Sequence, residues 1–210
     1  LMASNKLELQ VKALEASGAD MAYGPYVKAE ETTEGWLQKD VVMQWSAISS
    51  GLTLQDAILR GWNAITQACL FRREFLNRVP VWDEKLITHE DYLYLFRLSL
   101  EKPKLIHVPE AGVLYRQHGA QSTDMETKNT ARAKDRLQVL VEMRKELSSR
   151  ESAWFSSMLF SGRLFQAYQF LKEAGEDVRP FSGYMNTTDL LCWQLYRFYI
   201  FKIYRVIVGL

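Results

Sequence analysis

The sequence predicts an α/β front part, residues 1–125, followed by an α-helical extension, residues 126–210. Short Val- and Tyr-rich runs alternate with helical periodicities through the front part, and from Thr127 onward only long helical runs follow. The charge balance changes at the same place. The first 127 residues hold 13 Lys and Arg against 17 Asp and Glu, net −4; the remainder hold 13 against 8, net +5.

The elements follow in order. Asn5 is placed as a helix N-cap with Glu8 three residues on as its capping-box partner, and Leu7, Val11 and Leu14 repeat at helical spacing until Gly18 stops the run. Residues 20–28 read as a strand interrupted by Gly24-Pro25, residues 30–35 (EETTEG) as a polar loop, and residues 36–48 fit no single element. Residues 54–59 form a short helix capped by Thr53 and ended near Gly61. Residues 68–71 read as a buried strand leading through Arg72-Arg73 into a helical turn that Pro80 breaks.

Residues 89–101 carry Tyr92, Leu95, Phe96 and Leu98 at amphipathic helical spacing, with Glu90 and Asp91 in the first turn, where the helix dipole favours carboxylates; Pro103 ends the run. Residues 104–108 and 112–116 are strand-like, joined by a Pro109-Glu110-Ala111 turn. Residues 130–147 and 152–174 are long helical runs, the second ended by Gly175 and followed by Pro180, and no internal repeat appears.

A chain of 210 residues with 48% hydrophobic content can bury a sizeable core, and its net charge of +1 gives no overall reason to expect nucleic acid as a partner. Cys69 and Cys192 make neither a disulfide framework nor a zinc spacing, so a reducing compartment is expected. The N-terminus offers no signal peptide; it begins on a helix signal, which predicts a truncated chain.

The chemistry concentrates between Trp82 and Ser122. Two adjacent carboxylates at one helix start raise the pKa of one of them when they face a cleft, which suits a general base; the plain alternative for Asp91 is an ordinary dipole-capping acid. His118, in Tyr115-Arg116-Gln117-His118, is a candidate metal ligand, although a lone His is more often simply hydrogen-bonded. Arg116 and Arg72-Arg73 have the fork geometry for phosphate or carboxylate, and strand-end arginines are also commonly solvated. Trp36, Trp45, Trp62 and Trp82 could stack on sugar rings; for each one singly, core is the commoner fate.

The succession NKLELQVKAL, DMAYGPYVKA, ACLFRREFL, WDEKLITHEDYLYLFRLSL and HVPEAGVLYRQHGAQST resembles the C-terminal half of the catalytic domain of family 2 glycosyltransferases, which have the GT-A fold, a Rossmann-like mixed sheet. The likeness covers about the first 125 residues. It implies that the Glu90-Asp91 pair is the acidic part of the family's xED motif, with Asp91 as catalytic base of an inverting transfer and Glu90 in support. It implies further that His118 lies by the metal and diphosphate and Arg116 near the leaving diphosphate, with Gly61-Trp62 or the segment up to Arg73 near donor sugar or acceptor. The implied ligands are a nucleotide-sugar donor with Mg²⁺ or Mn²⁺, and a glycan or lipid-linked acceptor.

One departure matters. The family holds its metal with a DxD motif that stands just before a helix like NKLELQ, and no DxD occurs in these 210 residues. The expectation is a fragment that lacks the nucleotide-binding half and is inactive alone, because the metal supplies the charge stabilisation that lets the nucleotide leave. Residues 190–210 are nearly all apolar and aromatic, yet Arg197, Lys202 and Arg205 fall on one helical face. This predicts an interfacial helix at the cytoplasmic face of a membrane, or a helix docked on protein. The functional alternative is a non-catalytic binding module on the same fold.

Overall fold

The computed structural model describes residues 1–33, 35–43, 48, 51–79, 82–86, 88–117, 130–147 and 153–208, and the chain divides into two compact units. The first comprises Leu1–Gln55, Trp62–Asp83 and Tyr94–Thr127; the second comprises Asp56–Gly61, Glu84–Leu93 and Lys128–Leu210. The fold is mixed α/β, with two small mixed sheets and a set of C-terminal helices.

In the first unit, helix α1 (Lys6–Ser17) ends as expected: Gly18 takes φ 62° and its N–H returns to the Leu14 carbonyl. Its start and its buried face differ from expectation. Asn5 makes no side-chain cap, and the Glu8 carboxylate, expected to complete the capping box, pairs instead with Lys12 one turn on at 2.6 Å. Leu7 and Val11 are exposed; the buried positions are Lys6, Gln10 and Leu14. A tertiary hydrogen bond decides this, since Gln10 Nε2 donates to the Ala68 carbonyl at 2.9 Å and Lys6 Nζ donates to Gln10 Oε1 at 2.6 Å. Burial lowers the Lys6 pKa.

Strands β1 (Met21–Tyr23) and β2 (Tyr26–Thr32) are separated at Gly24-Pro25, and they belong to different sheets. A side chain at Gly24 would stand 2.4 Å from the Ala111 carbonyl oxygen, so only glycine fits that close approach. Of residues 30–35, expected as a loop, Glu30–Thr32 instead complete β2 and Gly35 begins β3 (Gly35–Met43), which pairs antiparallel with β2. A bulge lies between Val27 and Ala29.

Helix α2 (Leu54–Leu59), a short 3₁₀ turn Thr66–Ala68, β4 (Cys69–Phe71) and the single turn α3 (Arg73–Leu76) follow. Then come α4 (Glu90–Leu100), β5 (Leu105–His107) and β6 (Val113–Gln117). One sheet has the order β4-β1-β5, antiparallel then parallel; the other has the order β3-β2-β6, again antiparallel then parallel. The core around the first sheet is Leu14, Ala19, Ala22, Val108 and Ala111. Arg72 does not reach for a ligand: its guanidinium donates to the Ala19 and Leu14 carbonyls, both at 2.7 Å, which satisfies the C-terminal end of α1.

The second unit contains α5 (Thr130–Leu147), α6 (Trp154–Glu173), the single turn α7 (Arg179–Ser182) and α8 (Thr187–Val208). Helices α6 and α8 pack closely at Gly162, where an added methyl would lie 2.6 Å from Tyr196 Cβ. Asn186 and Asp189 form a reciprocal cap at the start of α8: Asn186 N–H donates to Asp189 Oδ2 at 2.9 Å and Asp189 N–H to Asn186 Oδ1 at 3.0 Å. The Arg144 guanidinium clamps that carboxylate in bidentate fashion, at 2.7 and 2.6 Å.

Helix α8 buries Asp189 and Cys192 and leaves Leu191, Leu195 and Phe198 exposed. Its first half therefore docks on α6 and carries an apolar stripe on the outside. Among the described residues, no helix is long and apolar enough to cross a membrane.

Candidate active site

The turn before α4 is held from α5. Thr88 is buried, and both its backbone N–H and its hydroxyl donate to Asp135 Oδ2, at 3.2 and 3.1 Å. With its proton committed to Asp135, the Thr88 hydroxyl oxygen accepts from His89 Nδ1 at 3.1 Å. His89 takes φ 65°, a left-handed conformation that costs a non-glycine residue energy and recurs where a turn is over-determined by its surroundings. These bonds fix the entry into α4, so Glu90 and Asp91 stand as its first two residues.

Asp91 is half-buried, and its Oδ1 accepts the Tyr92 N–H at 2.7 Å. Among the described residues it makes no ion pair with a cation. Burial first, and then the neighbouring Glu90, raise its pKa above the ordinary 3.8, while the Tyr92 and Asp91 amides pull the other way. The outcome is a carboxylate that takes up a proton more readily than a solvated one does.

Behind the turn, Tyr92 is buried and its hydroxyl donates to the Ile58 carbonyl at 2.5 Å. Arg163 of α6 donates to the same carbonyl at 3.1 Å, to Leu59 O at 3.3 Å and to the Tyr92 hydroxyl at 2.8 Å, with its guanidinium 5.4 Å from the Tyr92 ring centre. Sequence reasoning missed Thr88, His89, Asp135, Arg132, Arg136 and Arg163. The available signal was the Arg132/Arg136 pair, four residues apart on one face of a predicted helix in the basic half of the chain.

His89 is pushed down to about 4, by burial first and then by Arg136, Arg132 and Arg163, with Asp135 opposing. Its folded pKa lies below the ordinary 6.5, so between pH 6.5 and about 4 the unfolded chain binds a proton that the folded chain refuses. Stability therefore falls as pH falls through that window, by at most about 3 kcal/mol. Denaturant unfolding from pH 7 to pH 4 tests this: His89→Gln should flatten the acid-side loss, and an unchanged slope would remove His89 as its source.

The remaining expected residues are distributed otherwise. Arg116 is exposed on β6 in the first unit, paired in register with Ala29. His118 and Trp45 lie outside the described residues. Trp62 is a core residue, set edge-on to Tyr23 at 5.5 Å with its Nε1 buried and unbonded, whereas Trp82 is partly exposed against Tyr94 at 4.8 Å.

A separate cleft of about 440 Å³ in the first unit is lined by Tyr23, Leu54, Ser99, Lys102 and His107, with His107 Nε2 unbonded. Among the described residues no three His, Cys, Asp or Glu side chains converge as metal ligands, so these residues do not by themselves make a Mg²⁺ or Mn²⁺ site. No protein-family model matches the chain, and no curated protein matches it.

Proposed function

We propose that this chain is the base-carrying portion of an inverting sugar transferase of the family 2 glycosyltransferase type, built on a GT-A fold. The observation that carries the proposal is Asp91: a half-buried carboxylate fixed at the start of α4, bonded by backbone amide, beside Glu90 and with its pKa raised. A base that must accept a hydroxyl proton near neutral pH needs this combination of immobility and affinity for a proton.

The acceptor O–H proton passes to Asp91 as the acceptor oxygen attacks the anomeric carbon of a nucleotide-sugar. The bond to the nucleoside diphosphate breaks on the opposite face, and that diphosphate leaves with the electron pair. Mg²⁺ or Mn²⁺, when bound, supplies the charge stabilisation of the leaving diphosphate, from carboxylates other than those described above. Arg116 and His118 fall to the diphosphate side by the resemblance. Glu90 keeps Asp91 avid for a proton through its like charge.

The exposed Leu191, Leu195 and Phe198 of α8 support a position at the cytoplasmic face of a membrane, where a lipid-linked or growing glycan acceptor would be found. The test joins the chain to a nucleotide-binding half and supplies nucleotide-sugars with Mn²⁺. An α-linked donor should yield a β-linked product by NMR, with the protein floating on anionic vesicles. A product that retains configuration contradicts the mechanism; binding of a glycan without any turnover favours the binding-module alternative; and protein left in the pellet contradicts the membrane position.

A further inference from the structure

The cleft in the first unit is built on one face of a sheet. Leu105 and His107 stand two residues apart on β5 and so share that face, and Tyr23 lies in register with His107 on parallel β1. The opposite face is filled: Ala22 and Ile106 pack there with Leu14 of α1. On the cleft side, Ser99 and Lys102 close one edge from the end of α4, while Leu52 and Leu54 supply an apolar wall. All these residues belong to the first unit. A space of about 440 Å³ has the size of a small-molecule site and is far larger than the voids of a packed interior.

Three polar groups of this lining are unspent. The Tyr23 hydroxyl accepts the Ile48 N–H at 2.9 Å, and among the described residues nothing accepts its own proton. Burial raises the Tyr23 pKa, so that proton stays in place as a donor. His107 leans against the Tyr23 ring at 5.0 Å, tilted by 38°, and its Nε2 is buried without a hydrogen bond. Burial lowers the His107 pKa against the pull of Glu110, which leaves the imidazole neutral at pH 7. Lys102 is exposed, and its ammonium makes no ion pair among the described residues. It is the one full charge among the described residues that line the cleft, and no carboxylate stands among them to oppose it.

We propose that this cleft binds an organic monocarboxylate with a ring-sized body, the carboxylate held by Lys102 and the Tyr23 hydroxyl and the body lying against Leu52, Leu54 and Leu105. One ammonium and one hydroxyl donor match a singly charged group, whereas a phosphate or diphosphate is better served by several cations or an arginine fork. Apolar walls with a few placed polar groups are the usual construction of a small-ligand site. The neutral His107 ring can donate or accept according to its tautomer. Such a carboxylate has two sources: a sugar acid, whose ring hydroxyls would bond to His107, or an aromatic acid, whose bare ring would not. This binding makes no use of Asp91 and does not depend on the transferase reading.

Sodium benzoate and sodium glucuronate, titrated separately into the 210-residue chain at pH 7, are the probes, with benzamide as the uncharged control and the His107 ring signals followed by NMR. At least one acid is expected to bind and shift those signals, and benzamide to bind about tenfold more weakly or worse, the loss expected for a hydrogen bond to a charged group. The tighter acid names the source. Lys102→Gly removes the charge where the backbone already takes φ 51°, a left-handed conformation that glycine adopts at less cost. The variant should therefore keep or raise the melting temperature while weakening the tighter acid by about tenfold or more. Failure of both acids to move His107, benzamide bound as tightly as the acids, or equal binding by Lys102→Gly overturns the site. Inorganic phosphate bound more tightly than either acid overturns the carboxylate assignment.

Discussion

Arg144→Met is expected to cost the helical unit about 3–5 kcal/mol, the range for leaving one partner of a buried ion pair uncompensated. Asp189 is 1% exposed and receives both arms of the Arg144 guanidinium, at 2.6 and 2.7 Å. The same guanidinium also donates to the Tyr184 carbonyl at 2.7 Å and to Ser161 Oγ at 2.8 Å, so one side chain of α5 ties down α6, the turn after α7 and the cap of α8. Truncating it strands a buried carboxylate and a carbonyl together.

A fall in melting temperature of roughly 10 °C by circular dichroism corresponds to that loss. The double variant Arg144→Met with Asp189→Leu should recover much of it, because an apolar replacement of the whole pair leaves no charge buried. A single variant within about 0.5 kcal/mol of the parent would show that the pair does not hold α8 in place.

The same contrast shows what was legible in the sequence. Asn5-x-x-Glu8 and Asn186-x-x-Asp189 present equivalent capping patterns, and only the second forms. Glu8 is exposed and finds Lys12, whereas Asp189 is buried and oriented by Arg144 from 45 residues away. Helices α4 and α5 follow their local periodicity almost to the residue, and the break at Gly24-Pro25 falls where expected, while β2 runs on to Thr32, beyond the expected end at Lys28. The buried face of α1 does not follow its periodicity, because the Gln10 bond to the Ala68 carbonyl crosses 58 residues and overrides the Leu7/Val11 pattern. The β2–β3 pairing was hidden by a polar composition that reads as loop.

For the site, Glu90 and Asp91 were readable because an acid pair at a helix start is a local signal. The arginines were not, because α5 and α6 reach the 88–92 turn only through tertiary packing. Asp135 lies 47 residues from Thr88 and Arg163 lies 71 from Tyr92, and no motif spans such gaps.

The largest functional effect is expected at Asp91. Asp91→Asn keeps an oxygen that can accept the Tyr92 N–H, so the start of α4 is preserved. What it removes is the proton acceptor, and a positioned general base contributes about 10²–10⁴-fold to rate.

Stability should move the opposite way to activity. The folded pKa of Asp91 is raised, so above the ordinary 3.8 the folded chain binds the proton more tightly than the unfolded one. Stability conferred at low pH is then lost as pH rises through the folded value. At pH 7 the ionised Asp91 is a liability that asparagine relieves, and the variant should melt level with the parent or a few degrees above it. The decisive measurement is single-turnover sugar transfer by Asp91→Asn in transfer-competent protein, with equilibrium binding of the nucleotide-sugar recorded on the same preparation. Transfer slowed by about 10³-fold with donor Kd within twofold is the predicted result, and transfer at close to the parent rate would contradict Asp91 as the base.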